Sequence, residues 1–176
     1  LQGLPREGET SGRRNLNYLT GLVDLERDLR RFREVVRLNR TALLIDRVIT
    51  SAIPELEAFV GRTARAENAG PPMQVQIVPV DATAESVLSA LEEGIEAVYI
   101  GPLIRLPESE VQPLIDGLNA RRLPTYASDG RSWVNRGAFT SLVPDGEVER
   151  RMRRVALNSQ ETLARGEPSN DRIQSE

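Results

Sequence analysis

Short apolar segments alternate with longer stretches of helical periodicity along most of this sequence, and this alternation restricts the fold more than any other feature. Strands that alternate with helices through short connections are parallel and joined by right-handed crossovers. We therefore predict an α/β three-layer sandwich, in which a parallel five-stranded sheet carries helices on both faces. The five predicted strands span residues 41–46, 73–80, 96–101, 124–127 and 137–143.

Both ends of the chain differ from this pattern. Residues 1–20 are rich in Gly, Arg, Glu and Ser, which predicts an irregular segment or a severed hinge connection. We expect residues 21–166 to form a single α/β lobe whose last helix covers about 145–164, and residues 167–176 to form a tail. Within the lobe, Ser51 is predicted to cap the helix after the first strand, and Asp81 or Thr83 the helix after the second.

The residue types that the sequence lacks exclude many chemistries. The chain has no histidine and no cysteine, which rules out a Ser–His–Asp triad, a Cys–His pair and a Cys/His zinc site. It has no lysine, so Schiff-base chemistry and a phosphate-loop lysine are also absent. The net charge of −3 argues against a nucleic-acid partner. We therefore expect no catalysis, no cofactor and no metal, and an enzyme or a receiver-like signalling domain is only the third alternative.

Small or hydrogen-bonding residues follow each predicted strand. In open parallel sheets ligands bind beyond the carboxyl ends of the strands, so these residues are candidates for a small-molecule site. The alternative is that they cap helices and form turns, as Asp, Ser, Thr and Gly commonly do. Asp46 and Asp129 are favoured as binding residues, because each directly follows a buried strand and neither obviously opens a helix. The candidate ligand-binding residues are Asp46, Arg47, Thr50, Ser51, Gly101, Pro102, Arg105, Ser128 and Asp129.

The order of several segments resembles a bacterial family of ABC-transporter substrate-binding proteins. The segments are "NLNYLTG…DLERDLRRFREVV", "TALLID", "VYIGPL", "LPTYASDG…NRGA" and "LARGEPS", which together cover about residues 15–170. The resemblance implies a flavodoxin-like lobe of the type I periplasmic-binding-protein fold. It also implies that this chain is the C-terminal lobe alone, with its tail leading toward a missing N-terminal lobe of the same parent protein. A small ligand then lies between the two lobes, in the periplasm or cell envelope, and a membrane permease is the further partner.

By position, the resemblance assigns roles to two parts of the predicted sheet edge. Ser128 and Asp129 match a family Ser-Asp pair that faces an amino group or another donor of the ligand. Residues 46–51 match a loop that holds a carboxylate.

One segment departs from the family pattern. Where the family has Thr-Asp-Asn after the third strand, this chain has "GPLIRL" at residues 101–106. The ligand is therefore expected to be less polar, or anionic toward Arg105, or binding has been lost. The segments "PLIRL…GLNARRLPT" and "RRVALNSQETL" also resemble a divergent subgroup associated with outer-membrane efflux channels. The alternative function is thus a ligand-insensitive interaction or adaptor domain of an envelope export assembly.

Overall fold

The structure is a computed structural model that describes residues 25–36, 38–65, 72–143 and 146–165. The predicted irregular segment 1–20 and the predicted tail 167–176 lie outside the described residues. Residues Val23–Val143 form one compact unit, and the chain after Val143 belongs to another. The described part of this second unit is mainly one helix, Glu147–Arg165, which agrees with the helix predicted over about 145–164. The two units are described separately.

The first unit is an α/β structure built on four parallel strands. The strands lie in the order β2-β1-β3-β4, so the predicted α/β class with a parallel sheet is confirmed. Its elements are α1 (Leu25–Val35), β1 (Arg40–Asp46), α2 (Arg47–Ala52), α3 (Leu56–Thr63), β2 (Gln74–Val80), α4 (Ala84–Ala90), β3 (Ala97–Ile100), α5 (Glu108–Ala120), β4 (Thr125–Ala127) and α6 (Arg131–Asn135), and the helix of the second unit is α7.

The predicted fifth strand, residues 137–143, is wrong. Within it only Thr140 pairs with the sheet, through an isolated parallel bridge to Tyr126. The Thr140 N–H donates to the Thr125 carbonyl at 3.0 Å, and the Ala127 N–H donates back to the Thr140 carbonyl at 2.9 Å. Because β4 has only three residues, it offers the next segment a short edge, and pairing ends after one residue.

Helices cover both faces of the sheet, as predicted, because alternate strand residues point to opposite sides. On one face, Leu44 and Ile100 pack with residues of α4, α5 and α6, including the buried Trp133. On the other face, Tyr99 and Tyr126 pack with residues of α1 and α3. Strand β1 is buried along nearly its whole length, which is typical of a central parallel strand.

Strand β2 lies at the edge of the sheet, and the alternation of apolar and polar residues in its sequence is typical of a half-exposed strand. It is less buried than β1, and its Pro79 is exposed. The Gln74 N–H donates to the Asn39 carbonyl at 2.8 Å. Because alternate residues of a strand point their N–H groups to opposite sides, the even-numbered residues of β2 direct their N–H groups toward β1. Pro79 therefore has its nitrogen on the open side, where a missing donor removes no sheet hydrogen bond.

The chain passes from β1 into a helix without a connecting loop. Helix α2 begins at Arg47 with Asp46 as its N-cap, and α3 begins only at Leu56. The prediction that Ser51 is an N-cap is therefore wrong, because the earlier carboxylate already satisfies the first amides of the helix. As a result, Arg47 occupies the first helical turn, directly beyond the end of β1.

Candidate functional site

The carboxyl ends of the parallel strands form one edge of the sheet, which we call the rim. From β1 the chain moves outward to β2 and then returns to β3 on the other side, so the strand order reverses between β1 and β3. Such reversal points are where ligands bind in open α/β sheets. Across the rim, the Asp46 N–H donates to the Pro102 carbonyl at 3.1 Å, and the Ser128 N–H donates to the Ile100 carbonyl at 2.9 Å. The ends of β1, β3 and β4 are therefore contiguous, and span about 10 Å at ordinary strand spacing.

Asp46 is buried at the reversal point and its carboxylate is fully used within the protein. The residue has no accessible surface. Its Oδ1 accepts the Val48 N–H at 2.9 Å and the Arg105 Nε–H at 3.2 Å, and its Oδ2 accepts the Arg105 N–H at 2.7 Å. The interpretation that Asp46 does not open a helix is wrong, because the Val48 bond is the N-cap of α2. Asp46 therefore positions the loop after β3.

The pKa of Asp46 is consistent with these hydrogen bonds. Burial by itself raises this pKa, because a carboxylate loses hydration in the protein interior. The hydrogen bonds from the Val48 and Arg105 amides, together with the Arg105 guanidinium, outweigh burial and hold the pKa below its ordinary value. Asp46 is thus ionised at neutral pH and balances the charge of Arg105.

Two arginine side chains converge on Asp81 beside this carboxylate. The Arg105 Nη2 donates to Asp81 Oδ1 at 3.2 Å, and the Arg47 Nε donates to Asp81 Oδ2. The three side chains are each about half exposed: 52% for Arg47, 45% for Asp81 and 47% for Arg105. Both arginines were predicted as site residues. Asp81 was considered as a residue at the strand ends and as a possible helix cap, but it was not among the predicted site residues; the structure shows that Thr83, not Asp81, caps α4.

The β3–β4 side of the rim carries small residues and one carboxylate. Gly101 lies so close to β1 that a Cβ atom there would come within 3.0 Å of the Leu44 carbonyl oxygen. Ser128 is 5% exposed, and its hydroxyl has no hydrogen-bond partner within the described residues. Asp129 is exposed, yet partial desolvation raises the pKa of its carboxyl group, and the neighbouring Ser128 side chain only partly opposes this.

The structure does not bring Thr50 and Ser51 to the centre of the rim. The Thr50 hydroxyl donates to the Arg47 carbonyl within α2 at 2.9 Å. Ser51 is exposed near the end of that helix, about 7 Å from Asp46 along the helix axis. The rim proper therefore consists of Arg47, Asp81 and Arg105 on one side and of residues 101–102 and 128–129 on the other.

A separate groove of about 800 Å³ follows the outer edge of β2 beside α3. Its lining includes Val60, Met73, Val75 and Ile77 together with the charged ends of Glu57 and Arg65. Among the described residues that line this groove, no set of polar groups converges in the way that two arginines converge on Asp81. We therefore place the candidate site at the rim.

The described residues contain neither a candidate metal site nor a candidate membrane-spanning helix. No three acidic side chains in residues 25–36, 38–65, 72–143 and 146–165 lie together as ligands of a metal ion would. None of the helices among these residues has the length and apolar character needed to cross a membrane.

Comparison with known proteins identifies no family for this chain. No protein-family model matches the chain, and no curated protein sequence is significantly similar to it. Among solved structures, an apo methionine gamma lyase from Micromonospora echinospora is 16% identical, with a TM-score of 0.39. The alignment covers 66% of this chain and 30% of the lyase. At this level the similarity carries no argument about activity.

Proposed function

We propose that this chain is the solute-binding lobe of an ABC-type transport system, and that it binds a small molecule at the rim without catalysing a reaction. The single observation that carries this proposal is the fixed position of Arg105 at the point where the strand order reverses. The sequence resemblance to substrate-binding proteins supports the transport context, and the parallel sheet is the scaffold that such a lobe requires.

Arg105 is pre-organised to bind an anionic group. The buried carboxylate of Asp46 holds both its backbone N–H and its Nε, so the side chain is restrained before any ligand arrives. Nearly half of the side chain nevertheless remains accessible. Restraining a long side chain in advance lowers the entropy that binding would otherwise lose, about 0.5–1.5 kcal/mol for such a residue.

The opposite side of the rim offers complementary groups for the rest of a small polar ligand. Ser128 presents a buried hydroxyl beside Asp129, and Asp129 presents a carboxylate whose ionised form is disfavoured by partial desolvation and favoured only in part by the Ser128 side chain. A ligand donor such as an amino group satisfies both. The ends of β1 and β4 lie about 10 Å apart at ordinary strand spacing, which suits a molecule the size of an amino acid.

The remaining parts of the proposal follow from the sequence resemblance. The partners are the N-terminal lobe of the same parent protein, which closes over the rim, and a membrane permease or an outer-membrane efflux component. The location is the periplasm or cell envelope. Closure of two lobes around a ligand is a common hinge motion in binding proteins.

One observation favours the second candidate, a ligand-insensitive adaptor domain. Both guanidinium groups of the rim have carboxylate partners within the chain, Asp46 and Asp81. A rim whose charges are balanced internally is stable without a ligand, and the lobe then serves only as a surface for other components of an export assembly.

Thermal-shift screening separates the two candidates. We would screen the protein encoded by the complete reading frame that contains this chain against amino acids and small organic acids. A ligand at one hundred times its Kd stabilises the folded state by about 2.7 kcal/mol, which corresponds to a rise in Tm of about 5–10 °C.

Matched variants locate the site. The shift is expected to vanish in Arg105→Gln and in Asp129→Ala but to persist in Arg31→Gln, which changes an exposed arginine paired with Glu34 in α1. A screen without any hit favours the adaptor candidate. A hit that survives Arg105→Gln contradicts the proposed site.

A further inference from the structure

We propose that the Asp81 carboxylate occupies the position that a carboxylate group of the ligand takes when it binds. The ligand is then a small organic carboxylate, and it binds by displacing Asp81 from between Arg47 and Arg105. This inference rests on the proposed function, and it names both the class of ligand and the group with which that ligand competes.

The geometry at Asp81 is that of a bound carboxylate. Each of its two oxygens accepts a hydrogen bond from a different guanidinium group, Oδ2 from Arg47 and Oδ1 from Arg105. Arg47 lies in the first turn of α2, directly after β1, whereas Arg105 lies in the loop after β3, the strand next to β1 in the sheet. Two guanidinium groups that each donate to a different oxygen suit a carboxylate, because both of its oxygens accept charge-assisted hydrogen bonds.

Asp81 is the exchangeable carboxylate of the rim, whereas Asp46 is not. Asp46 is buried and accepts two backbone N–H groups, so its removal would disturb α2 and the loop after β3. Asp81 is 45% exposed, and its hydrogen bonds in the described part of the chain come from arginine side chains. It does not cap α4 either, because the Thr83 hydroxyl accepts the Ser86 N–H at 3.3 Å.

The exposure of this arrangement makes exchange easy. Ion pairs between partly exposed side chains contribute little net stability, because water solvates the separated charges well. A ligand carboxylate that replaces Asp81 recovers the same two arginine contacts while Asp81 returns to water. Asp81 therefore acts as an internal competitor, and removing it should strengthen carboxylate binding.

Acetate tests this inference directly, because it carries the carboxylate group that Asp81→Ala removes. We would titrate the purified chain with sodium acetate at constant ionic strength, and follow the Nε–H resonances of Arg47 and Arg105 by NMR. In Asp81→Ala we expect saturable shifts of both resonances, with a Kd at least tenfold lower than in the unaltered chain. Asp81→Ser serves the same purpose should the alanine variant fail to fold.

Three controls define the site. Glu92→Ala removes an exposed carboxylate that pairs with one arginine, Arg40, and should create no acetate site. The double variant with Asp81→Ala and Arg47→Gln should lose the site gained by the single change. Inorganic phosphate should bind Asp81→Ala more weakly than acetate does, and equal or tighter phosphate binding overturns the assignment to carboxylates.

The result of the acetate titration can be distinguished from the result of the ligand screen. Asp81→Ala without saturable acetate binding overturns this inference alone, because the screen does not use that variant. A screen of the complete protein that finds no ligand overturns the proposed function, and this inference with it.

Discussion

Replacing Asp46 with alanine should destabilise the protein by more than the loss of a helix cap. The change removes the N-cap of α2, which ordinarily contributes about 1 kcal/mol. It also leaves the Arg105 N–H without its partner at 2.7 Å, at a cost of about 1–3 kcal/mol for a part-buried donor. Its ion pair with the half-exposed Arg105 adds at most about 1 kcal/mol. We expect a loss of about 2–5 kcal/mol in the free energy of unfolding.

Urea denaturation at pH 7 measures this loss, and Thr83→Ala is the matched control. Thr83 caps α4 in the same way as Asp46 caps α2, but it has no described contact with a rim arginine. The control should cost about 1 kcal/mol. Equal losses for the two variants would refute the conclusion that Asp46 anchors the loop after β3.

The pH dependence of the same variant provides a second test. Because the pKa of Asp46 is lowered by folding, the unfolded chain binds more protons than the folded protein between the two pKa values. The stabilisation by Asp46 is therefore complete above the ordinary value of 3.8 and is lost as the pH falls through the folded pKa. The difference in stability between the unaltered chain and Asp46→Ala should be constant above about pH 5 and should shrink below pH 4. A difference that grows on acidification contradicts the assignment.

Three further predictions concern other described residues. Tyr99→Phe removes the hydroxyl that donates to the buried Asp28 carboxylate at 2.9 Å, and should lower the free energy of unfolding by about 1–3 kcal/mol in urea denaturation. The loss should exceed that of Tyr126→Phe, because the Tyr126 hydroxyl has no hydrogen-bond partner within the described residues. Gly101→Ala places a Cβ atom 3.0 Å from a backbone carbonyl oxygen of β1, and should lower the free energy of unfolding by about 1–3 kcal/mol in the same assay. An unchanged stability would show that the backbone at the rim moves to accommodate the Cβ atom. Asp129→Asn should raise Tm at pH 7, because folding raises the pKa of Asp129 and the ionised carboxylate therefore destabilises the folded state. The rise in Tm should disappear at pH 3, where the carboxyl group is protonated in both states.

The fold was predictable because its main signals are local. The unbroken apolar run of β1 and the alternation of β2 each reflect the burial of that strand alone, and both strands lie where they were predicted. The error at residues 137–143 has a different origin. Their apolar composition allows a strand, but pairing depends on the length of the neighbour, and β4 is only three residues long.

The candidate site was predictable in position but not in the role of each residue. Residue types at strand ends identified Asp46 and Arg105 as rim residues. Their direct contact joins positions 59 residues apart, and it depends on the path of the loop after β3, which no local pattern specifies. The same limit explains why Asp81 was not predicted to bridge two arginines.

The most direct test of the central claim is to map where a ligand binds. We would record ¹H–¹⁵N NMR spectra of this chain with a carboxylate-containing hit from the screen. The account predicts that the largest amide shifts fall at residues 46–48, 81, 101–105 and 128–130. Shifts confined to the groove beside β2, around Val60, Met73 and Ile77, would contradict it.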